Sequence, residues 1–324
     1  MLREESTTFG PPQVHLPEDE GAHPKVLFEW WYGNFTLMDS NSRSYGAMVA
    51  YFNAALRVLS ISDLKEKQFY HEASLSKLYC AQRFLDLRWG SHDRWFHSSP
   101  DALFYHLHSH GTEIGLNVDL VSQKPPLLAS GDGLIRWPFG SSYYYSLTRI
   151  RVKGQIELSG ATIDVEGMGW MDHQWMDFIP AAVIRSYEWF SIQLDNNTEI
   201  VFWQAIRNNG SIVSRPLTII FPDNSVFYTK DFLLQRMQSW VSPDSGCEYG
   251  ILWRVQEDSQ ALDLEIKAAY PEQEIKIPVA LPGFYPAFWE GRTTVSGQLA
   301  GRTVSGIGYT ELFRPHSSRG EEVR

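Results

Sequence analysis

The twelve residues GMGWMDHQWMDF, from Gly167 to Phe178, gather two tryptophans, two aspartates and a histidine. A carboxylic acid beside indole rings suits one demanding reaction, the protonation of an alkene. That step needs an acid in a dry place, where desolvation raises its pKa and keeps the proton on it near neutral pH. It also needs groups that tolerate a carbocation, and indole and phenol faces do so by cation–π attraction, about 1–2 kcal/mol each when desolvated. Asp172 beside Trp170, with His173 and Trp175 close in sequence, fits both needs. The alternative is structural: a carboxylate at a strand end that accepts backbone or indole N–H groups and pins a domain junction.

What must position these side chains is β-structure. Strand signals recur roughly every ten residues along the chain, in stretches such as EWWYGNFTLMD, SYGAMVAYF, EIGLNVDLV and YEWFSIQL, with Gly, Asn, Asp or Pro between them. Side chains two apart on a strand share a face, so Glu166, Met168, Trp170 and Asp172 point one way while Gly167, Gly169 and Met171 point the other. The spacing predicts an all-β barrel or sandwich. Helical periodicity is scarce. DFLLQRMQSWV, residues 231–241, reads as a helix, and SDLKEKQ, residues 62–68, is a second and shorter candidate.

An internal repeat organises the chain. Val152, Gly154, Gln155, Val165, Gly167 and Gly169 are matched by Val295, Gly297, Gln298, Val304, Gly306 and Gly308, which sets Trp170 on Tyr309 and Asp172 on Glu311. A second pairing sets the strand opening at Glu29 against the one opening at Glu188; each begins Glu-Trp-aromatic. The chain therefore reads as a duplicated β domain, units 1–178 and 179–324, joined between about Asp172 and Ser186.

Composition removes several classes of function. A net charge of −10 without clustered Lys and Arg argues against nucleic acid. The start MLREESTTFG is acidic where a signal peptide is basic and then apolar, and no segment stays apolar for 18 residues, so a cytoplasmic protein is expected. Cys80 and Cys247 supply neither a disulfide framework nor a zinc set and read as reduced thiols. No nucleophile elbow, Walker loop or dinucleotide fingerprint occurs, so no cofactor is expected. Twelve Trp, fifteen Tyr and eighteen Phe fit a large apolar pocket, although a thick core would use them too.

LPEDEGAHPKVLFEWWYGNF, FYHEASLS, the YYYSLTRIRVKGQIELSG that leads into GMGWMDHQW, and FYPAFWEGRTTVSGQLAGRTVSGIGYTEL follow one another in this chain. Together they resemble the lipocalin-like family that contains the carotenoid 1,2-hydratases, their AttH-type bacterial relatives and the fungal Diels-Alderases. The resemblance spans nearly the full length. It implies two lipocalin-like antiparallel β-barrels and chemistry on an apolar, unsaturated small molecule. In the hydratases a Tyr-x-Asp lies in the strand after the next one. Here that place reads Phe202, Trp203 and Gln204, which weighs against strict carotenoid hydration.

The candidate acid–base residues are Asp172, His173 and Glu29. Glu29 is matched by Glu188, and a residue present in both units is more simply a barrel-closing hydrogen-bond acceptor. Trp31, Trp170, Trp175, Trp203, Trp289 and Tyr309 flank the motifs and are the expected walls of a pocket at the contact of the two barrels. His71, in FYHEA, is a further binding candidate, although a satisfied core histidine is its commoner fate. Glu290, in FWEG, could line the same cavity or lie on an edge strand. His106, His108 and His110 share a strand face but lack a carboxylate at useful spacing, so a solvated strand end is expected in place of a metal site. The expected function is cofactor-independent, acid-assisted hydration or cyclisation of a hydrophobic isoprenoid or polyene, by a lyase or isomerase of secondary or terpenoid metabolism. The alternatives are a Diels-Alderase-like pericyclase and a non-catalytic lipid carrier. The partner is a hydrophobic small molecule, with transient membrane contact as a route to collect it.

Overall fold

Alternation of apolar and polar side chains makes this chain sheet almost throughout. In the computed structural model, which describes residues 11–99, 102–207, 209–277 and 286–313, strand accounts for 65% and helix for 3%. The opening MLREESTTFG lies outside the described residues. Two antiparallel sheets, of thirteen and eleven strands, each curl into a lipocalin-like barrel. The first ends at Met176 and the second begins at Ser186. No described helix is long and apolar enough to cross a membrane.

Each sheet is built round the same three-strand spine. Strand Phe28–Asp39 pairs with Ala161–Met176, which pairs with Gly140–Leu158. In the second sheet Ser186–Leu194 pairs with Arg302–Phe313, which pairs with Ala287–Leu299. The first strand of each unit thus closes on its last. The repeat reappears as register: Gly154 faces Val165 and Val152 faces Gly167, just as Gly297 faces Val304 and Val295 faces Gly306. These glycines mark close strand approach. A Cβ on Gly154 would meet the Asn117 carbonyl oxygen at 2.2 Å, and one on Gly297 the Asp263 carbonyl oxygen at 2.1 Å.

The Glu-Trp correspondence is two residues out of step. Glu29 faces Trp175, three places beyond Asp172, whereas Glu188 faces Leu312, one place beyond Glu311. A slip of two keeps every side chain on its own face, so the hydrophobic pattern cannot detect it.

Neither predicted helix forms. Leu233–Val241 is the edge strand of the second sheet, and its pairing with Glu248–Glu257 shifts register twice between Arg236 and Ser239. The bulges respace Leu234 and Trp240, which pack on the second core, and leave Leu233, Met237 and Val241 exposed; together these positions imitate a helical stripe. In SDLKEKQ, Ser62 and Asp63 end one strand, 64–67 turn, and Gln68 starts the next. Asp63 Oδ1 accepts the N–H groups of Lys65 and Glu66 and so builds that turn.

Strand faces sort the aromatic residues into three main apolar layers. One fills the first barrel, around Trp31, Trp95 and Trp175. A second fills the other barrel, around Trp253 and Trp289. The third lies between the sheets, where Tyr32, Tyr144 and Trp170 meet Trp189, Trp203 and Tyr309.

Candidate active site

The layer between the barrels is hollow. Its cavity has a volume of about 100 Å3 open to the centre of a water-sized molecule. Alternation decides what lines it. On Ala161–Met176, Asp172, Gln174 and Met176 face the cavity, whereas Met171, His173 and Trp175 turn into the first barrel. On Phe28–Asp39, Trp30 and Tyr32 face the cavity and Trp31 turns away. The second sheet contributes Tyr187, Trp189, Trp203, Phe288, Glu290, Glu311 and Phe313. Pro180 and Ala181, in the short helix that connects the sheets, are partly exposed at the rim.

Asp172 is buried in this wall at 5% exposure. Ser146 Oγ and Trp170 Nε1 donate to its Oδ1 at 2.6 and 2.7 Å, and Tyr144 OH donates to Oδ2 at 2.9 Å. Burial pushes the carboxyl up to about 7, although all three donors pull it down. Trp189 Nε1 in turn donates to the Tyr144 oxygen at 3.3 Å, so the second sheet supports the acid of the first.

Across the cavity stand Glu290 and Glu311, directly opposite each other on adjacent strands. The same ladder position in the first barrel holds Ser146 opposite Asp172, so where one unit sets a hydroxyl against an acid, the other sets acid against acid. Glu290 is 1% exposed and accepts from Tyr32 OH at 3.3 Å. Burial, then the neighbouring Glu311, hold Glu290 well above the usual carboxylate range. Glu311 is only partly covered, but its open side is the cavity. Burial and then the charge of Asp172 push it up to about 8. Two facing carboxyl groups in a dry wall cannot both ionise cheaply, so they titrate as one proton-sharing pair.

Residues 58–314 match the AttH-like family. The chain belongs to that family. Solved structures share its fold, three of them as follows. A protein of Nitrosomonas europaea assigned to AttH is 20% identical, with a TM-score of 0.80, and the match covers 94% of this chain and 99% of that one. Kievitone hydratase from Nectria haematococca is 17% identical, with a TM-score of 0.77 and coverage of 94% and 93%. CghA, solved with Sch210972, is 10% identical, with a TM-score of 0.65 and coverage of 90% and 89%. No curated protein matches the chain.

Of the six rings expected to line one pocket in this AttH-like protein, only Trp203 does so. Trp170 and Tyr309 lie in the same inter-barrel layer, and Trp170 serves the cavity through its bond to Asp172. Trp31 and Trp175 fill the first barrel, and Trp289 fills the second, its Nε1 donating to the Pro271 carbonyl at 2.6 Å. The physical reason is alternation: rings one residue apart cannot share a wall. The rings that do line it include Trp30, one place from Trp31, Trp137 at the end of strand Leu134–Trp137, and Trp189 on strand Ser186–Leu194.

His173 and Glu29 form a separate cluster inside the first barrel. His173 stacks on Trp31, with ring centroids 4.7 Å apart, and its Nε2 lies 3.1 Å from Glu29 Oε1. His23 Nδ1 reaches the same oxygen at 2.8 Å, and the His23 ring stacks on Trp175 at 3.9 Å. Burial weighs against charge on both rings, but the hydrogen bonds to Glu29 and Asp19 prevail at His23 and raise its pKa, while that of fully buried His173 falls. One donor atom from each of His23, Glu29 and His173 lies within 4.8 Å of the others, close enough to hold an ion. Hydrogen bonds already engage those atoms and clasp the segment before the first strand to the barrel.

His71 lies near the second barrel, where Lys276 N–H donates to its Nε2 at 3.4 Å. His106 pairs with Asp119 on the neighbouring strand, and His110 with Glu157 two strands away. Tyr32, Tyr144 and Glu311 are the site groups that residue patterns did not nominate. The repeat had already set Glu311 on Asp172, which was the signal for it.

Proposed function

We propose that this AttH-like protein is a cofactor-independent enzyme of the hydratase or cyclase type, which protonates a carbon–carbon double bond of a hydrophobic, unsaturated molecule from Asp172. One observation carries the reading: a carboxylic acid whose pKa burial raises to about 7 stands on the wall of an apolar, aromatic cavity. Protonation of the alkene leaves a cation, which the faces of Trp189 and Tyr32 and the Asp172 carboxylate left behind stabilise electrostatically. Water then closes a hydration, or an internal double bond closes a ring. Either way a base must take the last proton, and the Asp172 carboxylate left by the first step is placed for it. Likeness to kievitone hydratase supports water addition. Likeness to CghA, a Diels-Alderase, supports ring closure. Cys80 and Cys247, which form no disulfide with each other, accord with a reducing, cytoplasmic setting, and Leu27, 60% exposed beside the cavity residue Phe28, would suit brief contact with a membrane that stores the substrate.

The test is turnover in deuterated water with wild type and Asp172→Asn. Deuterium in a new C–H bond, lost in the variant, supports alkene protonation. Turnover without incorporation replaces it with a pericyclic reaction, and retention without turnover leaves a lipid carrier.

A further inference from the structure

Among the described residues the cavity wall carries three carboxyl groups and not one lysine, arginine or histidine. We infer that the site selects uncharged apolar molecules that bear a hydroxyl or phenol group, that Glu290 and Glu311 grip this group, and that carboxylates and phosphates are turned away. This names the substrate class of the site proposed above and rests on that reading for its meaning, although ligand binding alone can test it.

Geometry carries the inference. Glu290 and Glu311 face each other in direct register, a relation that holds Cβ atoms about 5 Å apart. Among the described residues Glu290, though almost wholly buried, makes one hydrogen bond, through Oε2 to Tyr32, and Oε1 has no partner. Glu311, which also lines the cavity, has no hydrogen-bond partner among the described residues. Buried polar groups are ordinarily satisfied, so unpartnered oxygens on a cavity wall mark where a ligand's polar atom belongs. A pair that holds one proton offers one donor and one acceptor. A hydroxyl is its complement, because it accepts from the protonated carboxyl and donates to the ionised one.

An anion has no such fit. The titratable groups facing the pair are Asp172 from the first sheet's last strand, Tyr32 from its first, and Tyr187 and Tyr309 from the second sheet; all are neutral or negative. The nearest cation along the strand, Arg292, turns its guanidinium to the Thr293 carbonyl and does not line the cavity. A carboxylate or phosphate brought here would lose its water and meet only like charge.

The probes are farnesol, farnesoic acid and farnesyl phosphate, which share one hydrocarbon chain, competed against the neutral dye Nile red. At pH 8 the alcohol should displace the dye about 100-fold more effectively than either anion, equivalent to two decades of binding constant. Lowering the pH through the ligand's own pKa should bring farnesoic acid towards the alcohol on wild-type protein, a control that needs no variant. Glu311→Gln and Glu290→Gln, checked for folding by circular dichroism, should weaken the alcohol and narrow the gap. Anions that bind as well as the alcohol, a gap unchanged in both variants, or no displacement by the alcohol would each overturn the inference. Alcohol preference without any turnover would leave it standing while removing the enzyme, whereas turnover of an anionic substrate would do the reverse.

Discussion

Asp172 should make the stability of this protein fall as pH rises, and Asp172→Asn should remove that part of the fall. The ordinary aspartate value of 3.8 is raised to about 7 in the folded chain. Between those two values the native state keeps a proton that the unfolded chain has released, so the native state binds more protons and loses stability as pH rises. The contribution is complete below about pH 4 and is lost above about pH 7. At 1.36 kcal/mol per tenfold change in acidity the full effect is about 4 kcal/mol, an upper figure for a group this buried. Asparagine keeps the shape and can still accept from Ser146 and Trp170, but it does not titrate. Urea unfolding followed by tryptophan fluorescence, at several pH values from about 4 to about 8, gives the difference between wild type and variant at each. The variant should gain on wild type by up to about 4 kcal/mol across that range, most steeply below pH 7. A difference that stays flat within about 1 kcal/mol would show that Asp172 is already ionised in place, and the proton-donor role would go with it.

Further outcomes follow from the same geometry. Turnover by wild type should fall as pH rises through about 7, because only the protonated acid acts, and Asp172→Asn should cost about 100-fold or more in kcat. Tyr144→Phe removes a donor that favours the carboxylate, so the descending limb of the pH–rate profile should move to higher pH; a shift the other way would break the assignment. Trp175→Ala should act on folding, at about 3–5 kcal/mol by denaturation, since its ring lies in the first barrel's core. Trp203→Ala should weaken ligand binding at smaller cost in stability, as read by dye displacement and urea unfolding of the same sample.

Local pattern made the β character, the duplication and the acid at Asp172 legible, because each depends on short-range spacing. Alternation is a property of the strand itself, and the glycines at 154 and 297 must be glycine wherever a neighbouring strand passes so close. Family motifs were legible for the same reason, being contiguous. The edge strand at 233–241 was misread as a helix because two bulges shift its spacing, and a bulge is a feature of pairing with a partner strand that the segment does not encode alone. What only the tertiary structure decided is which face of each strand met which. Alternation shows that Asp172 and His173 point apart, but not that one looks into a cavity between barrels and the other into a barrel core. Nor could spacing bring Glu290 and Glu311, twenty-odd residues apart, into opposition across a ladder and then carry both to the side of Asp172. Those contacts depend on register and on the docking of two sheets, which are settled by packing over the whole interface.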